Sequence, residues 1–267
     1  MTAESKQPSG AASYVNSRQI KVGPARRKSL IAMFALLPAL VVFCAFWLLP
    51  FSRLIMMGAE ADPSSGISAY LTILTHRQYL ISLATTVGLS LVVSLVAVAI
   101  AGVAGFFLAR QRFFGKSILV AILTFPLAFP GVVVGFLVIM LGGRQGALAQ
   151  TSLWLFGERW MFAYSLAGLF IGYLYFSIPR VITTVMAACD NLDQSLEEAA
   201  RSLGANTWQV TKDVIVPGIA PALLSTGAIC FATSMGAFGT AFTLGTRLSI
   251  LPLNIYGEFT NYANFAM

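Results

Sequence analysis

The chain has 267 residues, of which 57% are hydrophobic and only 10% charged. A water-soluble domain carries about 25% charged residues, so this composition excludes a soluble enzyme and predicts an all-α polytopic membrane protein. Seventeen basic against ten acidic residues give a net charge of +7. In a membrane chain such an excess reports topology and contact with lipid head groups, and no aromatic–basic interleaving of a nucleic-acid binder accompanies it.

Residues 1–28 are polar and end in the basic cluster Lys21, Arg26, Arg27 and Lys28. They cannot bury enough apolar surface to order themselves, which predicts a disordered cytoplasmic tail before a membrane domain over residues 29–267. The first apolar run, about Leu30–Pro50, is longer than the 7–15-residue core of a signal peptide and is read as an uncleaved span. Further spans are expected at about Ser82–Ala109, Ser117–Gly142, Trp160–Ile178 and Gly218–Leu244, the fourth continuing as a helix past Arg180. Each approaches or exceeds the ~20 residues that cross a bilayer, and none carries a charge before its ends. With the N-terminus inside, twelve basic residues, Arg180 among them, fall on the cytoplasmic side. Five (Arg53, Arg77, Arg144, Arg159, Arg247) fall outside, which is the asymmetry the positive-inside rule requires.

Between the fourth and fifth spans lies one long polar island, Asp190–Pro217. Ser195 followed by Glu198 reads as a capping box opening a helix, with Leu196, Ala199, Ala200 and Leu203 forming one apolar stripe. Gly204 stands where a helix C-cap takes positive φ, and Asn206 is placed to cap a second helix bearing Trp208, Thr211 and Ile215 on one face. Pro217 is read as the end of the cytosolic piece. The stretch 190–213 carries five acids against two bases. That balance suits a basic protein partner better than an anionic lipid surface.

Glu198-Ala199-Ala200, three residues, Gly204, nine residues, then Val214-Ile215-Val216-Pro217 resembles the EAA loop of binding-protein-dependent ABC importer permeases, with Val at two aliphatic positions. The resemblance covers most of the chain from the second span onward and is most specific over 178–217. It implies the transmembrane domain of a type I ABC importer, five spans plus the start of a sixth. The expected partners are a cytosolic ABC ATPase dimer, a second permease subunit (identical or not) and a periplasmic or extracellular substrate-binding protein. It further implies that the loop 187–217 couples to the ATPase through Glu197, Glu198, Ala199, Ala200, Arg201, Gly204 and Pro217. The location implied is the bacterial inner membrane. The family's sixth span would begin near Asn264–Met267, so a truncated C-terminus is expected. Among such importers the chain looks most similar to those for spermidine/putrescine, ferric iron and phosphonates, which implies a small polar solute such as a polyamine.

Residues that could do chemistry are scarce. The single histidine, His76, falls in an external loop, and Cys44, Cys189 and Cys230 lack metal or redox spacing. Gly115-Lys116-Ser117 fails as a phosphate loop, because Arg110 stands where the earlier glycine is required. The chain is therefore expected to be no enzyme and to hold no cofactor of its own, with ATP bound by a partner. A pathway must be lined by neutral groups. Pro126, Pro130 and Gly131 break the third span, and Ser225, Thr226, Thr233, Ser234, Gly236, Gly239 and Thr240 make one side of the fifth small and polar. Gly131/Gly135 and Gly168/Gly172 also fit close helix packing. A secondary carrier or channel without an ATPase is the alternative.

Overall fold

The computed structural model describes residues 36–60, 74–245 and 248–261, and among them all regular structure is helical. The tail expected over 1–28 and the sixth-span start at Asn264–Met267 lie outside the described residues. The chain divides into two compact units, Met1–Met57 and Gly58–Met267. Among the described residues five stretches are long and apolar enough to cross a membrane: Leu36–Met56, Arg77–Arg110, Gly131–Phe156, Leu166–Asp190 and Thr207–Met235. Their number is the expected one, and their bounds are not.

The first unit contributes α1 (Leu36–Met56). It runs through Pro50, where a span end was expected, because the π-helical turn Cys44–Leu48 comes just before that proline. A widened turn gives room to a residue that has no N–H to donate and whose ring crowds the preceding turn. Phe43, Trp47 and Phe51 stack along one side at centroid distances of 5.1 and 5.3 Å.

The second unit is built on α2 (Arg77–Arg110), 34 residues and about 50 Å long. Seven of its nine buried positions, Ser82, Thr86, Ser90, Ser94, Ala97, Ala101 and Gly105, are small and recur every three or four residues, the other two being Val93 and Leu108. Small side chains let neighbouring helices approach closely where lipid provides no hydrophobic drive. α6 (Leu166–Asp190) and α9 (Val216–Met235) lie along this face. Ser94 donates to the Gly227 carbonyl of α9 at 2.6 Å. Ala97, Ala101, Val181, Ile182, Val185 and Cys230 form the core where the three meet.

The third span is interrupted, as its prolines predict. α3 (Lys116–Thr124) passes into a 3-10 turn, Phe125–Ala128, then extended backbone at Phe129 and Pro130, and restarts as α4 (Gly131–Gly142). α5 (Ala147–Phe156) follows on the far side. α4 packs on α10 (Phe238–Leu244). At Gly135 a Cβ would overlap the Thr243 hydroxyl, so only glycine permits the crossing. Thr240 Oγ1 donates to the Gly131 carbonyl at 2.9 Å, which ties the two broken spans together.

The fifth span ends at Met235, not at Leu244. Gly236 and Ala237 break it, and α10 is a separate short helix. The carbonyl freed at Ala237 accepts from the Tyr173 hydroxyl at 3.1 Å. α11 (Leu251–Asn261) closes the described chain, its Leu251 N–H donating to Thr86 Oγ1 at 2.9 Å.

Candidate coupling surface and translocation cavity

The polar island folds as an elbow of two helices, α7 (Gln194–Ser202) and α8 (Thr207–Val210). Asp193 is the N-cap of α7, its carboxylate accepting from the Ser195 N–H at 2.9 Å. The expected Ser195/Glu198 capping box does not form: the N-cap lies two residues earlier, at Asp193, so both lie inside the helix. The Ser195 N–H holds the Asp193 carboxyl below its usual value, with the Ser195 hydroxyl adding to the effect. Gly204 adopts φ +88°, and the Ala205 N–H closes onto the Ala200 carbonyl at 3.1 Å, a glycine-terminated helix end. Asn206 and Gln209 form a reciprocal capping box with bonds of 2.9 and 2.8 Å.

Pro217 lies in the first turn of α9, the position a proline tolerates, but the helix does not start there. A single helical stretch runs from Thr207 to Met235, and the π turn Thr211–Ile215 precedes Pro217 just as another precedes Pro50. The adjacent glutamates part company. Glu197 turns inward and pairs with Arg110 at the end of α2, their side chains 12% and 27% exposed. Glu198 faces outward beside exposed Ala199 and Arg201, with Ala200 half-buried. The apolar residues of the elbow are left uncovered: Leu196 is 52% exposed, Trp208 71% and Leu203 89%. Only Ile215 of the expected second stripe is buried, and Thr211 is half-buried.

The second feature is a cavity of about 400 Å³ where both broken spans meet α6. Its wall includes Phe129 and Gly131 from the third span, Phe176 and Arg180 from α6, and Gly236 and Thr240 from the fifth. The helix passes through Pro179 to Asp190, ten positions beyond Arg180, the continuation expected from the sequence. The apolar stretch itself extends further than the expected end at Ile178 and takes in Arg180. The Arg180 guanidinium donates to Thr233 Oγ1 at 2.9 Å. Thr233 lies seventeen positions past Val216, about 25 Å along α9 from the end that meets the elbow. The spans are thus not charge-free, and a cation so placed costs roughly 2.5–3.5 kcal/mol even on the lenient insertion scale.

Of the expected pathway residues, Gly236 lines this cavity and Thr233 touches it through Arg180. Gly239 and Thr240 line it too. Pro126 and Pro130 shape the break beside it. Ser225 is exposed and donates to Ala222 in its own helix, at 3.1 Å. Thr226 and Ser234 are buried in the helix packing, away from the cavity wall. Among the described residues no group of three or more His, Cys, Asp or Glu could hold a metal ion.

A family model described as the inner membrane component of binding-protein-dependent transport systems matches residues 101–265. The chain is 31% identical over 153 residues to the molybdenum transport system permease protein ModB of Haemophilus influenzae, covering 56% of this chain and 66% of that protein. Against ModB of Escherichia coli K12 it is 35% identical over 141 residues, covering 53% and 61%. The chain thus spans slightly less than two thirds of these two relatives. The sulfate transport system permease protein CysT of Escherichia coli K12 is 28% identical over 211 residues, covering 79% of this chain and 74% of its own length. The crystal structure of a bacterial ABC transporter for import of the acidic polysaccharide alginate has a chain that superposes with a TM-score of 0.76 at 18% identity, covering 90% of this chain and 87% of that one. The all-α transporter fold expected from the sequence is the fold found. The relatives carry names of molybdenum and sulfate transport, not of polyamine transport, and all are permease proteins, transport components rather than enzymes.

Proposed function

The chain belongs to the family of inner membrane components of binding-protein-dependent transport systems, and on that premise we propose that it is a permease subunit of an ATP-driven importer for a small tetrahedral oxyanion. It spans the bacterial inner membrane with its N-terminus in the cytoplasm, pairs with a second permease, and takes its substrate from an external binding protein. ATP is bound and hydrolysed by a separate cytosolic ATPase dimer.

The observation that carries this reading is the elbow. Leu196, Leu203 and Trp208 present an uncovered apolar face on a helix pair with two well-formed caps. A rigid element with exposed aromatic and aliphatic anchors fits a protein groove, and Glu198 lies beside it for a basic partner residue. We assign ATPase coupling to Glu198, Ala199, Ala200, Arg201 and Gly204 at that face, with Glu197 fixing the elbow to its own membrane domain. The oxyanion class rests on the names of the relatives and replaces the polyamine expected from sequence.

The test is co-purification with an ATPase from detergent, followed by uptake of labelled sulfate and molybdate into vesicles with and without ATP. ATP-dependent accumulation of either anion is expected. Uptake indifferent to ATP by a chain that retains no ATPase would mean a carrier or channel instead.

A further inference from the structure

We propose that Arg180 is a specificity-determining residue of the translocation pathway, a single fixed cation that receives the oxyanion in the cavity between the two broken spans. The inference rests on the oxyanion-importer reading and deepens it by naming where in the membrane domain the anion is met.

Three observations converge on this position. Arg180 is the one charged residue on the cavity wall, and its neighbours there are aromatic, aliphatic, glycine or threonine. Its guanidinium is aimed and held. Thr233 Oγ1 gives its own proton to the α9 carbonyls of Ile229 and Cys230 (2.8 and 3.1 Å), which leaves a lone pair for Arg180. No carboxylate pairs with Arg180 among the described residues. A guanidinium has five N–H donors in a planar fork that matches two oxygens of a tetrahedral anion. Thr233 takes one donor and the buried Cys230 sulfur lies against the guanidinium as well, which leaves the remaining N–H groups for substrate.

The backbone around the cavity serves the same end. Both flanking spans are interrupted at this level, at Phe125–Pro130 and at Gly236–Ala237. Non-helical backbone at membrane depth is tolerated where it lines a water-filled or protein-enclosed space. A charged side chain within a span is a functional group by default. A polycation would be repelled by this wall, and a neutral solute would gain nothing from it. One unpaired cation attracts an anion without forming a cage around it, so binding stays weak enough for release.

The experiment is ATP-dependent uptake of labelled sulfate and molybdate by vesicles holding the complete transporter, with Arg180→Gln, Arg180→Lys and Thr233→Val. Arg180→Gln is expected to cut uptake of both anions by about 10- to 100-fold, the weight of a charge-assisted hydrogen bond, while ATPase association is unchanged. Arg180→Lys keeps the charge but loses the fork, and is expected to give uptake clearly above that of Arg180→Gln and still below wild type. Thr233→Val is expected to raise the KM for anion delivered by the binding protein by about 3- to 10-fold, and it decides the matter if Arg180→Gln fails to assemble. Arg180→Gln uptake within about threefold of wild type, or an unchanged KM in Thr233→Val, would overturn the assignment alone. Wild-type vesicles that accumulate neither anion would overturn the oxyanion reading and this assignment with it.

Discussion

Arg110 donates to Glu197 across 87 residues of sequence, joining the last residue of α2 to the inner face of α7. The pair is partly shielded, with side chains 27% and 12% exposed. It fixes the elbow to the longest helix of the domain, and it frees Glu198 to face outward. Removing one partner of such a pair strands the other charge. Arg110→Ala or Glu197→Gln should therefore lower stability by about 1–3 kcal/mol. Exchanging the two, Arg110→Glu with Glu197→Arg, should recover part of it. Thermal unfolding of the detergent-solubilised protein, run as a double-mutant cycle, measures both.

Gly204 sets the angle of the elbow. At φ +88° a Cβ would meet no atom within 4 Å, so the cost of a side chain there is purely conformational. Gly204→Ala should cost about 1–2 kcal/mol and leave transport measurable. Gly204→Pro, with φ locked near −65°, should leave insertion and assembly intact while abolishing ATP-driven uptake. Parallel assays of membrane level and uptake separate the two effects.

Gly135 permits the crossing of α4 and α10. Gly135→Ala would push Thr243 aside and should cost about 1–3 kcal/mol. Thr243→Ala in the same chain removes the hydroxyl but leaves its Cβ 2.7 Å from the new methyl, so it should restore only part of that loss, and Thr243→Gly more of it. A pair of melting curves decides it.

The α7 cap depends on pH in a defined direction. The Asp193 carboxyl titrates below its ordinary value because the Ser195 N–H favours the charged form. A depressed carboxyl stabilises the fold above its unfolded value and loses that contribution as pH falls through the folded one. Protection of the α7 first-turn amides, measured as exchange relative to the intrinsic rate at the same pH, should hold above the ordinary carboxylate range and fall below it. Asp193→Ala should show low protection throughout.

Features set by local chemistry were legible in the sequence. Gly204 and Asn206 sit where helix ends demand them, and the prolines at 126 and 130 interrupt the third span as expected. Features set by distant neighbours were not. Nothing near Glu197 distinguishes it from Glu198 until Arg110 arrives from another helix. Ser195 and Asp193 are both competent caps, and the start of the helix chose between them. The passage of the fourth-span helix through Pro179 and past Arg180 was legible. The contact of Arg180 with Thr233 was not, because it is made by a helix 53 residues away in sequence.

The helical stretch from Thr207 to Met235 has a mechanical consequence. It is 29 residues, about 43 Å from tip to tip. Trp208 stands at the exposed tip, and Gly236, on the cavity rim, follows directly on the other. Treated as a stiff lever, such a rod tipped by about 5° at one end sweeps the other by roughly 4 Å. On the proposed coupling, a small push on the indole would therefore arrive at the cavity rim as a displacement larger than the radius of a small oxyanion.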